Sequence, residues 1–423
     1  MLDIKFIREN PEKVKLASIQ KLMPVDIDRL LLLDGQIRKL NLQTETLRTK
    51  RNALSIEMKT AVQERKQEII DTVKNIKDEL QPLEVETGNI KSELNELMLT
   101  VPSVPDPEVP VGKTDGDNVF LRALGTVPSF DFPVKDHVDL AVSLDLLDTE
   151  RAVKFAGSRT YFLKNEGMLL EMAVTAFAID HLRKKGFTPM SVPLMVHESA
   201  MTGTGYFPIG YDQAYKLPED GLFLIGTSEV SLISYHQNEI LVADELPKKY
   251  AGYSTCFRRE AGTYGKDTRG LYRVHQFQKV EQVVICEANA EQMEALHQEI
   301  LINAEEILQA LELPYRVMLA CTGETGIGQI KKYELETWMP SRNAYCETHS
   351  CSSFGDFQAR RSNIKYRDKN GELKYCYTLN NTGIASPRIL IPLLEINQQS
   401  DGSVKIPRVL QPYMGGIELI KPR

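Results

Sequence analysis

The sequence predicts an α+β protein in two parts, a long helical hairpin followed by a domain of mixed strands and helices. Two heptad patterns of apolar residues, similar in length, fill most of residues 30–97 and predict the two arms of the hairpin. Four prolines between residues 101 and 112 cannot continue a helix and mark the boundary between the parts. At 423 residues the chain also exceeds one ordinary core, so two domains are expected.

The bulk composition is typical of a globular protein. Apolar residues make up 42% of the chain and charged residues 26%, and no apolar run reaches the length of a membrane span. The first residues lack the apolar core of a signal peptide, so we expect no membrane association and a cytoplasmic location. The net charge of −7 means that a nucleic-acid partner would need a local basic surface.

The six cysteines lie in the C-terminal half without paired spacing, which predicts reduced thiols. Cys346, His349 and Cys351 are spaced like part of a metal site, but no second CxxC-type pair accompanies them. We therefore expect no zinc.

The N-terminal part begins with a short amphipathic segment, in which Asn10 is expected to cap a helix that starts at Pro11. The heptad patterns then predict an antiparallel hairpin, over about residues 27–99, that folds back near residues 63–66. No glycine or proline marks that turn, so one unbroken helix in an intermolecular coiled coil is the alternative. Pro82 lies inside the second arm and should kink it.

The two arms differ in charge. Residues 38–66 hold eight basic and three acidic residues, whereas residues 67–100 hold three basic and eight acidic ones. One interpretation is attraction between the arms, and the other is a phosphate-binding stripe on the first arm. The scarcity of aromatic residues there favours recognition of a nucleic-acid backbone over base stacking. The basic residues are Arg38, Lys39, Arg48, Lys50, Arg51, Lys59, Arg65 and Lys66.

Beyond the proline-rich segment, residues 169–185 predict a buried helix that ends at Gly186, because apolar residues recur there at helical spacing. The next stretch predicts a strand that contains Pro189 and Pro193. Proline cannot donate to a strand ladder, so this strand is expected at a sheet edge.

Residues 253–285 are the stretch most informative about function. They predict two strands joined by a polar, glycine-bearing loop over residues 261–270. Because strand side chains alternate, Arg258 and Glu260 share one face of the first strand. Such a face suits a charged, ring-bearing ligand, although a solvent face of an antiparallel sheet has the same pattern. The second strand collects five functional-type residues on one face, namely Arg273, His275, Phe277, Lys279 and Glu281.

Two patterns flank this loop, F-R-x-E at residues 257–260 and R-V-H-Q-F-x-K-V-E at residues 273–281. Their order resembles motif 2 of class II aminoacyl-tRNA synthetases, in the form found in seryl-tRNA synthetases. The resemblance implies that Arg258 binds the α-phosphate of ATP and the amino acid carboxylate, and that Phe277 stacks on adenine. It also identifies residues 186–195 as motif 1, in which Pro193 lies at a dimer interface.

Two further clusters have a structural and a functional interpretation. Thr227 and Glu229 follow an apolar strand and could cap the next helix, whereas the resemblance makes residues 227–229 contacts for serine. Residues 345–354 could form a solvated turn, whereas the resemblance assigns Glu347 and Ser350 to ATP and Mg²⁺, for which hard oxygen ligands are suitable.

Residues 377–397 resemble motif 3 of the same family. Ser386 followed by Pro387 is a helix-start signal that would place Arg388 at a helix N-terminus, where anions are favoured. The resemblance gives Arg388 the γ-phosphate of ATP. Many relatives read N-G-S-G-L-A before this point, and Thr382 keeps the hydroxyl expected to meet the side chain of serine.

The resemblance thus implies a set of site residues. The catalytic residues are Arg258, Glu260 and Arg388. The serine contacts are Thr227, Ser228, Glu229, Arg258, Glu281 and Thr382. The ATP contacts are Arg258, Arg259, Glu260, Val274, Phe277, Glu347, Thr348, His349, Ser350 and Arg388, with Mg²⁺ held by Glu347 and Ser350. The tRNA contacts are Arg38, Lys39, Arg48, Lys50, Arg51 and Lys59, because the family's N-terminal hairpin grips the long variable arm of tRNA(Ser).

Over the whole chain the resemblance implies a tRNA-binding domain at residues 1–101, a linker at 102–115 and a class II catalytic domain at 116–423, whose antiparallel β-sheet is flanked by helices. It implies a homodimer that activates L-serine with ATP and loads the acceptor end of tRNA(Ser), with tRNA(Sec) as a second acceptor in the family. An adenylate-forming enzyme that loads a carrier protein is one alternative, and the long hairpin argues against it. An inactive relative that acts as a binding module is another, and the intact motif residues argue against it.

Overall fold

A computed structural model describes residues 1–262 and 269–423, so the middle of the loop predicted at residues 261–270 lies outside the described residues. The chain divides into two compact units. One contains Leu2–Ile19 and Met23–Pro102, and the other contains Met1, Gln20–Leu22 and Ser103–Arg423. Across the described ranges, no helix is long and apolar enough to cross a membrane.

The N-terminal part of the chain is helical. Its helices are α1 Ile4–Glu9, α2 Pro11–Gln20, α3 Ile27–Glu57 and α4 Gln63–Thr100. The ion pairs Arg29–Glu93 and Arg48–Glu84, each 2.7 Å, join the two long helices and show that they run antiparallel. The predicted hairpin is therefore confirmed, and the unbroken helix is excluded. The turn lies at residues 58–62, whereas residues 63–66, where it was expected, form the first turn of α4.

Apolar positions of the heptad patterns hold the hairpin together. The buried residues of the two arms are Ile27, Leu30, Leu33, Asp34, Ile37, Leu40 and Thr44 on α3 and Ile69, Ile76, Leu80, Thr87 and Met98 on α4. From Leu30 to Thr44 the apolar heptad positions of α3 are three and four residues apart, and from Ile69 to Thr87 the buried positions of α4 are four and seven apart, so one face of each helix lies against the other. Helix α4 continues through Pro82, and α2 begins at Pro11 as predicted. The Asn10 amide, however, donates to the carbonyl of Phe6 at 3.1 Å and so closes α1.

The C-terminal unit is built on strands. They are β1 Val119–Leu124, β2 Leu147–Asp148, β3 Phe162–Leu163, β4 Thr188–Ser191, β5 Met195–His197, β6 Lys216–Leu217, β7 Leu222–Leu224, β8 Ile240–Val242, β9 Lys248–Phe257, β10 Gln276–Cys286, β11 Tyr315–Leu319, β12 Lys331–Met339, β13 Ala344–Gly355, β14 Lys365–Arg367, β15 Leu373–Tyr375, β16 Tyr377–Ala385, β17 Val404–Lys405 and β18 Leu419–Ile420. The helices between them are α5 His137–Ser143, α6 Thr149–Ala156, α7 Asn165–Lys184, α8 Glu198–Thr204, α9 Glu229–Ser234, α10 Ala290–Ala310, α11 Phe357–Ser362 and α12 Leu390–Ile396.

The main sheet has eight strands in the order β1-β11-β12-β13-β16-β10-β9-β4. Neighbouring strands are antiparallel except for β4 and β9, which are parallel. The predicted α+β class with an antiparallel sheet is confirmed. Strand β4 lies at the edge and contains Pro189, as expected of a strand with proline. Pro193 lies beyond its end.

Alternation along β10 explains where the site forms. Val280, Val284 and Cys286 point to one side of the sheet and join the main apolar core, to which α7 and α10 contribute. Val283 and Ile285 point to the other side and join a second apolar cluster with residues of α8 and α9. Odd-numbered residues nearer the start of β10 share that second side. The polar residues predicted there are thus turned away from the main core.

Candidate active site

A cavity of about 510 Å³ lies against the second side of the sheet. It brings together predicted site residues that are far apart in the sequence. These are Arg258, Glu260, Val274, Phe277, Glu347, Thr348, Ser350, Thr382 and Arg388. Residues that the sequence analysis did not assign also line it, among them Met201, Tyr206, Tyr272 and Lys279. The cavity therefore draws on all three stretches, 253–285, 345–354 and 377–397.

The first wall is the end of the β9–β10 pair. Regular pairing stops at Phe257 and Gln276, so Arg258 and Glu260 lie just past β9 and not on it. The chains stay together because the Arg258 N–H donates to the His275 carbonyl at 3.0 Å. Beyond this point the Glu260 carboxylate accepts a 2.9 Å bond from the Arg273 guanidinium. The strands are thus shorter than predicted, and the functional residues sit where they separate.

Arg258 and Phe277 form a cation–aromatic pair on this wall. The guanidinium carbon of Arg258 lies 5.2 Å from the centroid of the Phe277 ring, within the range of a favourable cation–π contact. The Arg258 Nε also lies 3.4 Å from the Gly226 carbonyl. The wall therefore offers a positive charge and an aromatic face side by side.

A β-bulge in β13 forms the second wall. Leu335 pairs with His349 and Glu336 with Glu347, so Thr348 is an extra residue in the strand. Residues three apart on a regular strand point in opposite directions, but an inserted residue changes that relation. Glu347, Thr348 and Ser350 all line the cavity in consequence. The solvated turn considered for this segment is excluded, because the segment lies inside the sheet.

Arg388 lies in a turn between β16 and α12. The expected helix start at Ser386–Pro387 was wrong, since α12 begins at Leu390 and residues 386–389 form a turn. Arg388 is held in that turn by acceptors across the cavity. Its Nη1 donates to the Glu347 carbonyl at 3.0 Å, and its Nε lies 3.3 Å from the Tyr272 carbonyl. Tertiary contacts, and not a helix terminus, aim this guanidinium.

An acidic pocket lies beside the cavity and consists of Glu229 and Glu281, both buried. Burial raises the pKa of Glu229 to about 7, and the nearby charge of Glu281 adds to the rise. Burial also raises the pKa of Glu281, while the neighbouring Lys279 opposes this. Lys279 pairs with Glu281, and its ammonium lies 3.5 Å from the Thr227 hydroxyl. The pocket thus holds two acids and one base away from bulk water, and an added cation would offset the excess negative charge.

Strand register places Thr382 directly across from Glu281 on β16, with Gly252 opposite on β9. The Gly252 position has no room for a side chain, because a Cβ there would lie 2.6 Å from the Ser228 Oγ. Ser228 itself donates to the Gly252 carbonyl at 3.2 Å. Its hydroxyl is therefore engaged in the sheet and is not presented to the cavity.

Gln358 on α11 holds Glu229 in place, a role that the sequence analysis missed. Its amide donates to Glu229 at 2.6 Å and to the Thr204 carbonyl at 3.1 Å, while its oxygen accepts from Thr378 at 2.6 Å. Glu229 begins α9, and the Thr227 hydroxyl lies 3.4 Å from its N–H, so the capping interpretation also describes part of this geometry. The only sequence signal for Gln358 is that D-F-Q-A-R-R-S-N at residues 356–363 also resembles the family.

Two predicted ATP contacts have side chains directed elsewhere. The exposed Arg259 donates to the Asp212 carbonyl at 3.1 Å. His349 is buried, and its ring bonds to the Gly383 carbonyl at 3.1 Å and to the Thr348 hydroxyl at 2.9 Å. Burial lowers the pKa of His349 to about 4. The bulge at Thr348 explains this placement, because it turns His349 inward while its neighbours line the cavity.

Comparison with known proteins settles the family. Residues 1–105 match the family model described as the seryl-tRNA synthetase N-terminal domain, and residues 215–397 match the tRNA synthetase class II core domain for G, H, P, S and T. A serine–tRNA ligase of Deinococcus radiodurans is 48% identical over 420 residues, which cover 99% of each chain. One from Treponema denticola is 43% identical over 419 residues, covering 98% of this chain and 99% of the relative.

The chain belongs to the seryl-tRNA synthetase family. It is a ligase of the class II aminoacyl-tRNA synthetases, as predicted. Solved structures agree with this. Seryl-tRNA synthetase from Pyrococcus horikoshii, complexed with ATP, superposes with a TM-score of 0.93 at 39% identity over 100% of both chains. Cytoplasmic serine–tRNA ligase from Naegleria fowleri, complexed with AMP, gives 0.88 at 31% identity, covering 100% of this chain and 99% of that one.

A more distant likeness concerns the fold alone. Prolyl-tRNA synthetase from Giardia lamblia superposes with a TM-score of 0.58 at 17% identity, over 67% of this chain and 58% of that one. The sheet described above is thus shared with class II synthetases of other amino acid specificity.

The donor set at the bulge in β13 fits a divalent cation. Glu347 and Ser350 supply a carboxylate and a hydroxyl oxygen to one cavity, the oxygen ligands that Mg²⁺ prefers, while bound phosphates and water complete its shell. In the described ranges, no group of three or more His, Cys, Asp or Glu residues is placed to hold a metal by itself.

Proposed function

We propose that this seryl-tRNA synthetase family member activates L-serine with ATP and transfers the serine to tRNA(Ser). The observation that carries the proposal is the proximity of two chemically different regions. Arg258, Phe277 and Arg388 line one cavity, and the acidic pocket of Glu229 and Glu281 lies beside it, linked through Lys279. A nucleoside triphosphate suits the first region and an amino acid ammonium suits the second. Complexes of relatives with ATP and with AMP support the same assignment.

Activation is a displacement at the α-phosphorus of ATP. A carboxylate oxygen of serine forms the new bond to phosphorus, and the bond to the pyrophosphate oxygen breaks. Negative charge moves from the serine carboxylate to the departing pyrophosphate oxygen and to the non-bridging oxygens of the α-phosphate, and preorganised cations in a partly dry cavity stabilise it there. In our proposal Arg258 lies at the α-phosphate and the serine carboxylate, and Arg388 at the γ-phosphate. No side chain need act as a nucleophile.

Mg²⁺ bound with ATP by Glu347 and Ser350 would neutralise phosphate charge. The protein contributes the placement of these oxygens through the bulge at Thr348. Glu260 and Arg273, paired at 2.9 Å, fix the mouth of the site next to Arg258.

Serine is recognised, in our proposal, at the acidic pocket. Glu281 and Glu229 attract its ammonium, and Thr382, across from Glu281 in the sheet, receives its hydroxyl. A site built to hydrogen-bond a hydroxyl rejects alanine, because its own polar groups would be left unpaired at about 1–3 kcal/mol each. Threonine is excluded by volume, since its extra methyl would enter a space shaped for CH₂OH.

Transfer requires that the tRNA be gripped, and we assign this to the hairpin. Arg48 pairs with Glu84 on the other arm, which supports attraction between the arms for that residue, whereas Arg38 pairs with Asp34 within α3. For Lys39, Lys50, Arg51 and Lys59 no ion pair occurs in the described part of the chain, and their charges are available to phosphates. We therefore propose attraction between the arms for Arg48 and phosphate binding for the four unpaired residues.

A homodimer is part of the proposal. The edge strand β1 exposes Val119, Phe120, Leu121 and Leu124, and an exposed apolar edge strand is an association surface unless it is covered. A second copy of the chain would cover it. The motif 1 assignment of Pro193, which lies beyond β4 at the opposite edge of the sheet, is a separate reason to expect a dimer from the family. Sedimentation should give twice the chain mass of 47.8 kDa at assay concentration. A fully active monomer would contradict the dimer without affecting the activation chemistry.

The first test of the proposal is serine-dependent exchange of pyrophosphate into ATP. Exchange with serine, and little with alanine or threonine, separates an active enzyme from an inactive relative that serves as a binding module. Transfer of serine to a tRNA with a long variable arm, and not to a carrier protein, then separates the proposed enzyme from one that loads carriers. Absence of serine-dependent exchange would overturn the proposal.

A further inference from the structure

Glu395 on α12 is a fully buried carboxylate that does not belong to the cavity wall. Its Oε1 accepts hydrogen bonds from the His137 N–H and ring Nδ1, each at 2.9 Å, and from the Ser341 hydroxyl at 2.8 Å. Its Oε2 accepts from the Ser341 N–H at 2.9 Å. Burial alone would raise the pKa of Glu395, but these hydrogen bonds hold it below its ordinary value. Glu395 is therefore an anion that fixes the positions of His137 and Ser341.

His137 links Glu395 to the backbone next to the cavity. Since Glu395 is an acceptor, Nδ1 of His137 carries the proton that is shared with it. Nε2 lies 3.2 Å from the backbone N–H of Leu271, and because an amide can only donate, Nε2 is the acceptor. The imidazole thus has one fixed tautomer and connects α12 to the start of the segment before β10.

Gly270 shows that this contact is close. Its φ is +85°, and a Cβ at this position would lie 2.3 Å from the His137 Nε2. A residue with a side chain would therefore be strained and would also push the imidazole away. Arg269, immediately before it, pairs with Asp136 at 2.7 Å on the exposed side of the same contact.

Both branches from Glu395 lead to Tyr272. The His137 branch ends at Leu271, the residue before Tyr272. On the other branch Glu395 binds Ser341, which directly precedes Arg342. The guanidinium carbon of Arg342 lies 4.1 Å from the centroid of the Tyr272 ring. The guanidinium carbon of Arg388 lies 4.3 Å from the same centroid, and Arg388 also bonds to the Tyr272 carbonyl. The Tyr272 ring is therefore in cation–π contact with the guanidinium groups of both Arg342 and Arg388.

We propose that Glu395 and His137 are positioning residues for the ATP step, because they hold Tyr272 where Arg388 rests on it. The inference rests on the proposed function, in which Arg388 binds the terminal phosphate. An arginine that is ordered before ATP arrives loses less side-chain entropy on binding than one that is free to rotate. Neither Glu395 nor His137 touches the substrate in this account, and both act through Tyr272.

The test uses the full-length chain with His137→Asn and Glu395→Gln. Asparagine can still donate toward Glu395 but has no acceptor at the Nε2 position, so the bond from Leu271 is removed. Glutamine keeps the shape of Glu395 but places an amide donor against a donor of Ser341 or His137. We expect the KM for ATP, and the Kd of a non-hydrolysable ATP analogue measured by calorimetry, to rise on the order of tenfold. The KM for serine should stay within about twofold.

His297→Ala is the matched control. His297 is another buried histidine, whose Nε2 lies 3.3 Å from the Cys351 carbonyl, outside the cavity wall. It should lower the melting temperature without a selective rise in the KM for ATP. Tyr272→Leu removes the ring while leaving both positioning residues in place, so it must reproduce the ATP defect even if a His137 variant fails to fold.

The variants distinguish a positioning role from a merely structural one. A selective ATP defect in the His137, Glu395 and Tyr272 variants supports the inference. ATP affinity equal to wild type in folded variants overturns it, and so does a loss of ATP and serine affinity in parallel that matches His297→Ala. Failure of the wild type in pyrophosphate exchange would instead refute the proposed function, and the calorimetric arm would still decide whether these residues position the phosphate-binding cation.

Discussion

The Gln358 amide donates a 2.6 Å hydrogen bond to the carboxylate of Glu229, and both side chains are buried. The bond links α11, which is remote in sequence, to the first residue of α9 in the acidic pocket. It offsets part of the cost of burying a charge. If the pocket binds the serine ammonium as proposed, this contact outside the cavity wall favours the charged form of Glu229 that would receive it.

Replacing Gln358 with Met should weaken serine binding selectively. The change keeps the volume but leaves Glu229 without its amide donor, so the neutral carboxylic acid is favoured and attracts an ammonium less. We expect the KM for serine to rise on the order of tenfold, from the loss of about 1–3 kcal/mol, with the KM for ATP unchanged. Gln309→Met, which removes a 2.8 Å bond to Tyr315 elsewhere in the unit, is the control. Equal serine KM values in both variants would contradict this role.

The pH dependence of serine binding follows from Glu229. Its pKa is raised from 4.5 to about 7 by burial and then by Glu281, and an ammonium binds the carboxylate, so the KM for serine should fall as pH rises from 6 to 8. The stability effect has the opposite sign. The folded chain binds this proton more tightly than the unfolded chain, so the free energy of unfolding should fall as pH rises from about 4.5 to about 7. Glu229→Gln should flatten both profiles, and a profile unchanged by that substitution would assign them to another group.

Discrimination between serine and alanine should depend on Thr382. Thr382→Ala removes the hydroxyl across from Glu281, so we expect a higher KM for serine and a narrower margin over alanine in pyrophosphate exchange. Glu281→Gln should instead impair activation with every amino acid, because the ammonium is common to all. Full discrimination against alanine in Thr382→Ala would show that the hydroxyl is recognised elsewhere.

The basic residues of α3 and the turn after it should carry the salt dependence of tRNA binding. In a triple alanine variant of Lys50, Arg51 and Lys59, the slope of affinity against salt should fall by about one unit for each phosphate that is no longer bound. Three lysines of the opposite arm provide the control, in a triple alanine variant of Lys74, Lys77 and Lys91. Equal slopes in the two variants and the wild type would restrict the cations of the first arm to a role within the hairpin.

Patterns of local origin could be predicted from the sequence. Heptad spacing predicts the hairpin and its buried positions because each arm contributes one repeating face. Proline at residue 189 predicts an edge strand because proline has no N–H to donate to a neighbouring strand. The family resemblance predicts which residues meet at the cavity, and nine of them line it.

What could not be predicted depends on contacts between distant segments. The bulge at Thr348 depends on how β12 pairs with β13, and no residue type in β13 predicts it. Arg388 follows a helix-start signal, yet Tyr272 and Glu347 hold it in a turn before α12. His137 and Gln358 act through partners 134 and 129 residues away, a separation that no local pattern reports.

In the proposed function, one chain joins a site that activates serine to a hairpin that binds tRNA. Aminoacylation of a tRNA with a long variable arm tests it most directly, with the wild type compared with a variant in which residues 27–99 are replaced by a short linker. We predict that the wild type attaches serine to this tRNA, and that the deletion abolishes charging while serine-dependent pyrophosphate exchange persists. Equal charging by both proteins, or no charging by the wild type, would contradict the account.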